Sequence, residues 1–187
     1  MSPLWFAALA AALLYLGLLS TGRKGWWKVL PAVLLSLAVP PAFAPAFLLC
    51  AVGDGCLLRP RLFLPGLGAF LLGHVAFMVA FSRLPDAALL PPLPLALGLG
   101  ALAVGMVVGL WAGLKGPLKV AVPLYAVALA GMAFMSARAG LRPAFGGLLF
   151  LISDAVLAWN RFRRPFEGAD GVVMVTYFGA LLLLARL

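Results

Sequence analysis

The sequence contains few charged residues and very few of the side chains that bind metals. Asp, Glu, Lys and Arg make up 10% of its 187 residues, whereas they form about a quarter of a typical soluble domain. Apolar residues account for 65%, which excludes a soluble globular protein and predicts an integral membrane protein. The single histidine, His74, excludes membrane metalloproteases, multi-histidine hydroxylases and zinc lipid hydrolases, each of which needs two or more histidines.

Motifs for nucleophilic and phosphate-binding chemistry are also missing. The chain has no Gly-x-Ser-x-Gly nucleophile elbow. The glycine-rich stretch "GLGAFLLG" (66–73) lacks the lysine and the preceding strand of a phosphate-binding loop. Cys50 and Cys56 lie in an apolar segment on different helical faces, so we expect two buried thiols rather than a disulfide or a metal pair. We therefore expect no metal and no cofactor.

Breaks at prolines, glycines and charged clusters divide the chain into eight apolar segments. The predicted fold class is all-α: a single transmembrane helical domain, residues 1–187, that forms an integral membrane bundle of about eight transmembrane helices. The first segment lacks the basic start of a signal peptide, so we expect it to be a retained helix. The predicted helices cover residues 3–19, 28–42, 45–58, 64–82, 93–113, 117–137, 143–161 and 171–186.

Basic residues are concentrated in alternate loops. The positive-inside rule therefore predicts that the odd-numbered loops are cytoplasmic and that both termini lie outside. A composition rich in Ala, Leu, Gly, Pro and Arg suggests a GC-rich bacterial genome, and the expected location is the inner membrane of a bacterium. The net charge of +9 is explained as an orientation signal, so no nucleic-acid partner is expected. The odd loops hold ten basic residues, Arg23, Lys24, Lys28, Arg59, Arg61, Lys115, Lys119, Arg161, Arg163 and Arg164, and the other side holds four, Arg83, Arg138, Arg142 and Arg186.

Polar side chains from several predicted helices lie at one depth in the membrane. Asp54, Asp154, Tyr125 and Tyr177 are each five to seven residues from a charged residue at the cytoplasmic helix end, or about 7–11 Å inside the boundary. His74 lies somewhat deeper. An ionised aspartate in mid-bilayer costs roughly 2.5–3.5 kcal/mol on insertion scales, so such residues face the bundle interior and usually mark a functional site.

Each of these residues also has a structural interpretation. Asp154 and Arg161 are two helical turns apart and therefore lie on one face, where they can form an ion pair. His74, between apolar residues, can be a satisfied core histidine. A membrane tyrosine such as Tyr125 often packs or anchors at an interface. The functional interpretation is an acid–base site made of two carboxylates, one imidazole and two phenols.

Three short segments carry a resemblance to a known family. They are "AVGDGCLL" (51–58), "FLLGHVAF" (70–77) and "FLISDAVLAWNRF" (150–162). They resemble the YhhN-like, or lysoplasmalogenase, family of eight-span membrane proteins, and "PLYAVALAGM" (123–132) and "WWKVLPAVLL" (26–35) fit the same family. One position departs from the pattern, because Leu181 replaces the glutamine that usually follows Tyr-x-x-Ala in the last span.

The resemblance implies hydrolysis of the vinyl ether bond of lysoplasmalogens to a fatty aldehyde and a glycerophospho-alcohol. The partners implied are a lysophospholipid substrate and membrane lipids; the sequence specifies no oligomeric state. Two carboxylates suit this reaction, because it passes through an oxocarbenium ion, as glycoside hydrolysis does. Asp54 is the expected general acid and Asp154, near Arg161, the ionised base, although the two roles can be exchanged. The expected catalytic residues are Asp54, Asp154 and His74, and the expected substrate-binding residues are Asn160, Arg161, Lys28, Tyr125 and Tyr177.

Two other functions agree with the same residues. Intramembrane Asp and His residues also form proton relays, so a proton-coupled transporter of small solutes is one alternative. It predicts polar groups spread across the full membrane depth, whereas here they cluster toward one side. The other alternative is a non-catalytic lipid-binding or scaffolding membrane protein, in which the aspartates form structural salt bridges.

Overall fold

The computed structural model describes residues 2–23, 25–88 and 90–186, and this part of the chain is all-helical. Lys24, one of the ten basic residues of the odd loops, lies outside the described residues. Short 3₁₀ turns precede or follow three of the helices, at Trp26–Val29, Pro60–Leu62 and Trp111–Gly113. The α-helices are α1 (Pro3–Ser20), α2 (Leu30–Ala38), α3 (Ala44–Leu57), α4 (Phe63–Phe81), α5 (Pro92–Leu110), α6 (Leu118–Arg138), α7 (Leu141–Phe162) and α8 (Ala169–Leu184). The predicted all-α bundle is confirmed.

Five helical segments of the described chain are long and apolar enough to cross a membrane. They are Pro3–Ser20, Pro60–Phe81, Pro92–Gly113, Leu118–Arg138 and Leu141–Phe162. The segments containing α2, α3 and α8 are apolar but shorter, with 10–17 residues each. The protein is therefore a multi-pass membrane protein whose shorter helices share the bundle with five full-length spans.

Seven of the eight helices begin and end close to the predicted positions, and α2 is the exception. It begins at Leu30 and ends at Ala38, four residues before the predicted end. Pro40 and Pro41 explain the early end, because proline disfavours a helical residue before it and supplies no N–H donor. A tight turn follows, in which the Phe43 amide donates to the Pro40 carbonyl oxygen at 2.9 Å.

Seven helices form a closed ring, and α5 lies outside it. Neighbouring contacts run α1–α2–α3–α4–α6–α7–α8 and return from α8 to α1. Helix α5 contacts mainly α6, with a smaller contact to α7. The ring interior holds a continuous apolar core of aromatic and aliphatic side chains, in which Phe43, Phe47, Phe77 and Phe150 are fully buried.

Two consecutive glycines let α7 approach both of its neighbours closely. A methyl group at Gly147 would lie 3.2 Å from the Ala133 Cα atom of α6, and one at Gly146 would lie 3.2 Å from the Leu184 amide nitrogen of α8. Small residues at such positions are the usual means by which membrane helices pack tightly. The contact fixes α7 two turns before Asp154 and so positions that carboxylate.

Candidate active site

Asp54 is held at both of its carboxylate oxygens. The Lys28 ammonium is 3.0 Å from Oδ1 in an ion pair, and the Tyr177 hydroxyl donates to Oδ2 at 2.6 Å. The Asp54 side chain is 1% exposed and that of Lys28 is 9% exposed, so the pair is shielded from solvent. Lys28 reaches Asp54 from the 3₁₀ turn before α2, while Tyr177 reaches it from α8.

Asp154 has a different set of contacts. The Tyr125 hydroxyl of α6 donates to Asp154 Oδ2 at 2.5 Å, and His74 Nε2 of α4 is 3.0 Å from the same hydroxyl oxygen. Because the phenol gives its only hydrogen to Asp154, the imidazole must donate through Nε2. His74 Nε2 is also 3.7 Å from Asp154 Oδ2. The result is a chain of hydrogen bonds directed from His74 through Tyr125 to Asp154.

Aromatic rings separate and brace the two carboxylate clusters. The Phe150 ring lies edge-on to His74, at a centroid distance of 4.8 Å, and edge-on to Tyr177 at 5.5 Å. Phe70 contacts Tyr177 at 5.9 Å and Phe150 at 6.4 Å. These apolar contacts restrict the rotamers of His74 and Tyr177 and so hold the hydroxyl and imidazole groups in position.

Both aspartates line one cavity of about 680 Å³. Its polar residues are Tyr15, Lys28, Asp54, Tyr125, Ser153, Asp154, Asn160, Arg161, Asp170 and Tyr177, and the remainder of its wall is almost entirely apolar. The volume is typical of a site for one small molecule. Phe70 lines the apolar part of the cavity, whereas Phe77, Met132 and Phe150 are buried in the core.

The structure gives two predicted residues a different environment from the expected one. Arg161 lies over the Phe63 ring at 3.8 Å from its centroid, so it makes a cation–π contact rather than the ion pair with Asp154 that the structural interpretation offered. Lys28, expected to bind substrate phosphate, directs its ammonium at Asp54 instead. The interhelix ion pair therefore belongs to Asp54 and not to Asp154. Closeness in sequence suggested a cation for Asp154, from Arg161. It could not show that the turn before α2 lies against α3 and so brings Lys28 to Asp54.

The remaining predicted residues divide into those that line the cavity and one that supports them. Tyr125, Tyr177 and Asn160 line it, and the Asn160 side-chain oxygen also accepts a hydrogen bond from the Phe166 amide at 3.0 Å. His74 is fully buried behind Tyr125 and does not line the cavity itself. Among the residues that the structure describes, no group of three or more His, Cys, Asp or Glu side chains could hold a metal ion.

Three polar residues of the cavity, Tyr15, Ser153 and Asp170, were missed by the sequence reasoning. Ser153 of α7 donates to the Val173 carbonyl oxygen at 3.1 Å. Tyr15 of α1 is buried and lines the cavity, and Asp170, in the first turn of α8, lines it near the loops. Tyr15 is eight residues before Arg23, or about 12 Å along a helix, so the depth argument could have found it. Asp170 is the charged residue, seven before Tyr177, from which the depth of Tyr177 was counted, so it was taken as a helix end and not as part of the site.

Comparisons with known proteins identify the family of this chain. Residues 4–187 match the YhhN family. The chain belongs to this family. It is similar to lysoplasmalogenase TMEM86B of pig (Sus scrofa), with 40% identity over 141 residues that cover 75% of this chain and 60% of the pig protein. It is also similar to lysoplasmalogenase TMEM86B of mouse (Mus musculus), with 32% identity over 195 residues that cover 96% of this chain and 84% of the mouse protein.

A bacterial protein also matches most of this YhhN-family chain. It is the uncharacterized membrane protein YhhN of Escherichia coli O6:H1, with 31% identity over 180 residues that cover 86% of this chain and 85% of that protein. The chain spans about 60% of the length of the pig and human TMEM86B proteins. No solved structure gives a significant match.

The glycines of the family-like Gly-Asp and Gly-His pairs have a packing function in this YhhN-family protein. A methyl group at Gly53 would collide with the Phe70 ring, and one at Gly73 would lie 3.4 Å from the Ala46 carbonyl oxygen. Both glycines therefore let α3 and α4 approach each other at the level of Asp54 and His74. Leu181, which departs from the expected glutamine, is fully buried in the apolar core.

Proposed function

We propose that the protein is a membrane lipid hydrolase of the lysoplasmalogenase type, which cleaves the vinyl ether bond of a 1-alkenyl lysophospholipid. The observation that carries the proposal is that two carboxylates from different helices line one cavity with a polar and an apolar part. Two carboxyl groups in different environments provide one proton donor and one anion. Relatives named lysoplasmalogenase, 32–40% identical to this chain, support the same substrate class.

The proposed reaction consumes one water and needs no redox partner. A carboxylic acid gives its proton to the alkene carbon β to the ether oxygen, which leaves an oxocarbenium ion. Water adds to the carbon that bears the oxygen and loses a proton to a carboxylate. The hemiacetal then collapses: its hydroxyl loses a proton, the bond to the glycerol oxygen breaks and that oxygen is protonated. The products are a fatty aldehyde and a glycerophospho-alcohol.

The contacts favour Asp154 as the acid and Asp54 as the anion, which exchanges the roles expected from the sequence. Lys28 and Tyr177 both stabilise negative charge on Asp54. Asp154 receives one hydrogen bond, at Oδ2, from Tyr125, and no described residue donates to Oδ1. The second oxygen can therefore carry the proton that the alkene receives. His74 and Tyr125 orient Asp154, so they are positioning residues in this scheme.

The phosphate of the substrate would lie at the end of the cavity nearest the loops. Arg161 lines this end, and its guanidinium, stacked on Phe63, keeps N–H groups available for a phosphate oxygen. Asn160 is adjacent and provides a neutral donor. Because the vinyl ether of a lysolipid lies just below its glycerol, a head at Arg161 brings the reacting bond toward Asp154, about 10 Å along α7.

The decisive assay uses purified protein and a 1-alkenyl lysophospholipid, with release of fatty aldehyde as the readout. The matched 1-alkyl ether, which has no alkene to protonate, is the substrate control and should not react. We expect Asp154→Asn to lower turnover by about 10²–10⁴-fold, as is typical for loss of a general acid. Asp86→Asn is the matched protein control, because Asp86 pairs with Arg138 and neither residue lines the cavity.

Equal hydrolysis of the alkenyl and alkyl ethers would refute alkene protonation. No aldehyde from folded wild-type protein would refute the activity and leave a transport or scaffolding function. Asp54→Asn leaves the Lys28 charge unpaired, so its folded fraction must be measured before its activity is interpreted.

We also propose a location for the protein, the inner membrane of a bacterium, with both termini outside and the site toward the cytoplasm. The distribution of ten basic residues against four supports this orientation. Single cysteines placed near residue 2 and in the loop at 163–168, in a chain without Cys50 and Cys56, provide the test. An impermeant thiol reagent added to intact cells should label the first and not the second. The opposite labelling would reverse the orientation.

A further inference from the structure

The cavity has two separate groups of exposed lining residues. One group, Leu58, Arg161, Pro165 and Asp170, lies where the helices meet the loops and marks a polar mouth. The other lies within the span. Leu102 of α5 is 55% exposed, and Leu148 and Ile152 of α7 are 48% and 40% exposed, yet all three line the cavity. The cavity is therefore also open sideways, between α5 and α7, at the depth of the hydrocarbon.

Helix α5 is attached to the bundle mainly at its C-terminal end. Leu110 and Leu114 are buried against Val122 of α6, Leu67 of α4 and Phe162 of α7. Gly113 lies so close to the Phe162 carbonyl that a methyl group there would collide with it. Toward the other end, Gly98, Gly100 and Gly105 have no neighbouring atom within 4 Å of an added Cβ. Away from this joint, apolar residues of both helices line the cavity, which leaves an apolar cleft between them.

The apolar part of the cavity is too short to enclose a long hydrocarbon chain. Leu148, the deepest lining residue on α7, is six residues from Asp154, or about 9 Å along the helix. One leaflet of a bilayer core is about 15 Å thick. A hydrocarbon chain as long as one leaflet is thick exceeds the roughly 9 Å of cavity beyond Asp154 and must therefore leave it, and the exposed apolar walls of α5 and α7 mark where it can do so.

We propose that the cleft between α5 and α7 is a lateral portal that holds one hydrocarbon chain, with the distal end of the chain in the surrounding lipid. This proposal rests on the proposed function and adds to it the path of the hydrocarbon chain: the portal tolerates long chains because their ends remain in the bilayer. The portal is defined by Leu102, Ala103, Met106 and Val107 of α5 and by Leu148, Ile152 and Ala155 of α7.

The first experiment maps the chain without requiring hydrolysis. Protein in nanodiscs is irradiated with a 1-alkyl lysophospholipid that carries a diazirine in mid-chain, and labelled residues are identified by mass spectrometry. An excess of unlabelled 1-alkyl lysophospholipid separates saturable labelling from general labelling by membrane lipid. We expect saturable labels at 102–107 and 148–155, and only unsaturable labels at lipid-facing Val127 and Leu37. Saturable labels elsewhere, or none in the cleft, would overturn the portal even if the enzyme releases aldehyde.

The second experiment narrows the portal with Ala103→Trp. The matched control is Ala101→Trp on the same helix, because Ala101 is exposed and does not line the cavity. For long-chain substrate we expect kcat/KM of Ala103→Trp to fall by about tenfold or more, since an added ring must displace the chain. A chain short enough to end inside the cavity should react at nearly the wild-type rate. Identical chain-length profiles for the two tryptophan variants would contradict the proposal. Melting curves show whether Ala103→Trp folds; if it folds poorly, the labelling of wild-type protein still tests the portal.

Discussion

Replacement of Lys28 by methionine tests whether the Lys28–Asp54 ion pair supports both the fold and the site. The substitution keeps an unbranched side chain of nearly the same length and removes its charge, which leaves the Asp54 carboxylate buried without a cation. Removing one partner of a buried pair costs about 3–5 kcal/mol. For a chain of this size that corresponds to a decrease of about 6–20 °C in the melting temperature. The pair is 3.0 Å apart with side chains 9% and 1% exposed, so the full range applies.

The measurement is a thermal melt in mild detergent, followed by circular dichroism or by a thiol-reactive dye at the buried Cys50. The double variant Lys28→Met with Asp54→Asn should show a smaller decrease in melting temperature than the two single variants added together, because neither charge is then left unpaired. The decrease for Lys28→Met should also shrink at acidic pH, since a proton on Asp54 removes the uncompensated charge. Aldehyde release should fall in both single variants.

The Asp86–Arg138 pair provides the matched control. Its side chains are 52% and 26% exposed, so Asp86→Asn should lower stability by only about 0–1 kcal/mol. If Lys28→Met destabilises the protein no more than Asp86→Asn does, or if the Lys28 and Asp54 effects simply add, the two charges do not depend on each other. The assignment of Asp54 as the stabilised anion would then be refuted.

Three further predictions concern other contacts of the site and the bundle. Tyr125→Phe removes the 2.5 Å hydrogen bond to Asp154; this bond becomes charge-assisted as Asp154 gives its proton to the alkene, and such a bond is worth about 1.5–3 kcal/mol, so kcat should fall by about 10–100-fold, and a wild-type kcat would contradict the assignment. His74→Gln should lower kcat less than Tyr125→Phe and change the pH–rate profile, because His74 acts through the phenol; an unchanged profile would make it a packing residue only. Gly113→Ala should destabilise the protein by about 1–3 kcal/mol through a collision with α7, whereas Gly98→Ala, in open space, should be neutral or stabilising in a thermal melt.

Much of the helix pattern was predictable because hydrophobic length is a local property. The start of α1 and the end of α6 were each expected within one residue of their observed positions. The error at α2 arose because "PPAFAP" was assigned partly to a helix that the Pro40–Pro41 pair ends early. The portal on α5 was not predictable, since an apolar span looks the same whether it packs inside a ring or outside it.

Part of the site was also predictable. Asp54, Asp154, Tyr125 and Tyr177 were identified from their common depth, and the structure brings all four to one cavity. Their partners were not predictable, because sequence spacing within one helix suggested that the cation near Asp154 was Arg161. The observed pairing joins residues 26 positions apart, Lys28 and Asp54.

The sequence by itself determined that this chain forms a helical membrane bundle with carboxylates at one depth, because hydrophobic length and the cost of burying charge act along each helix separately. Only the tertiary structure decided which carboxylate receives the lysine, which is held by Tyr125 and His74, and where the cavity opens. These features depend on how the helices rotate and pack around the ring, and that is set by contacts between residues far apart in the chain.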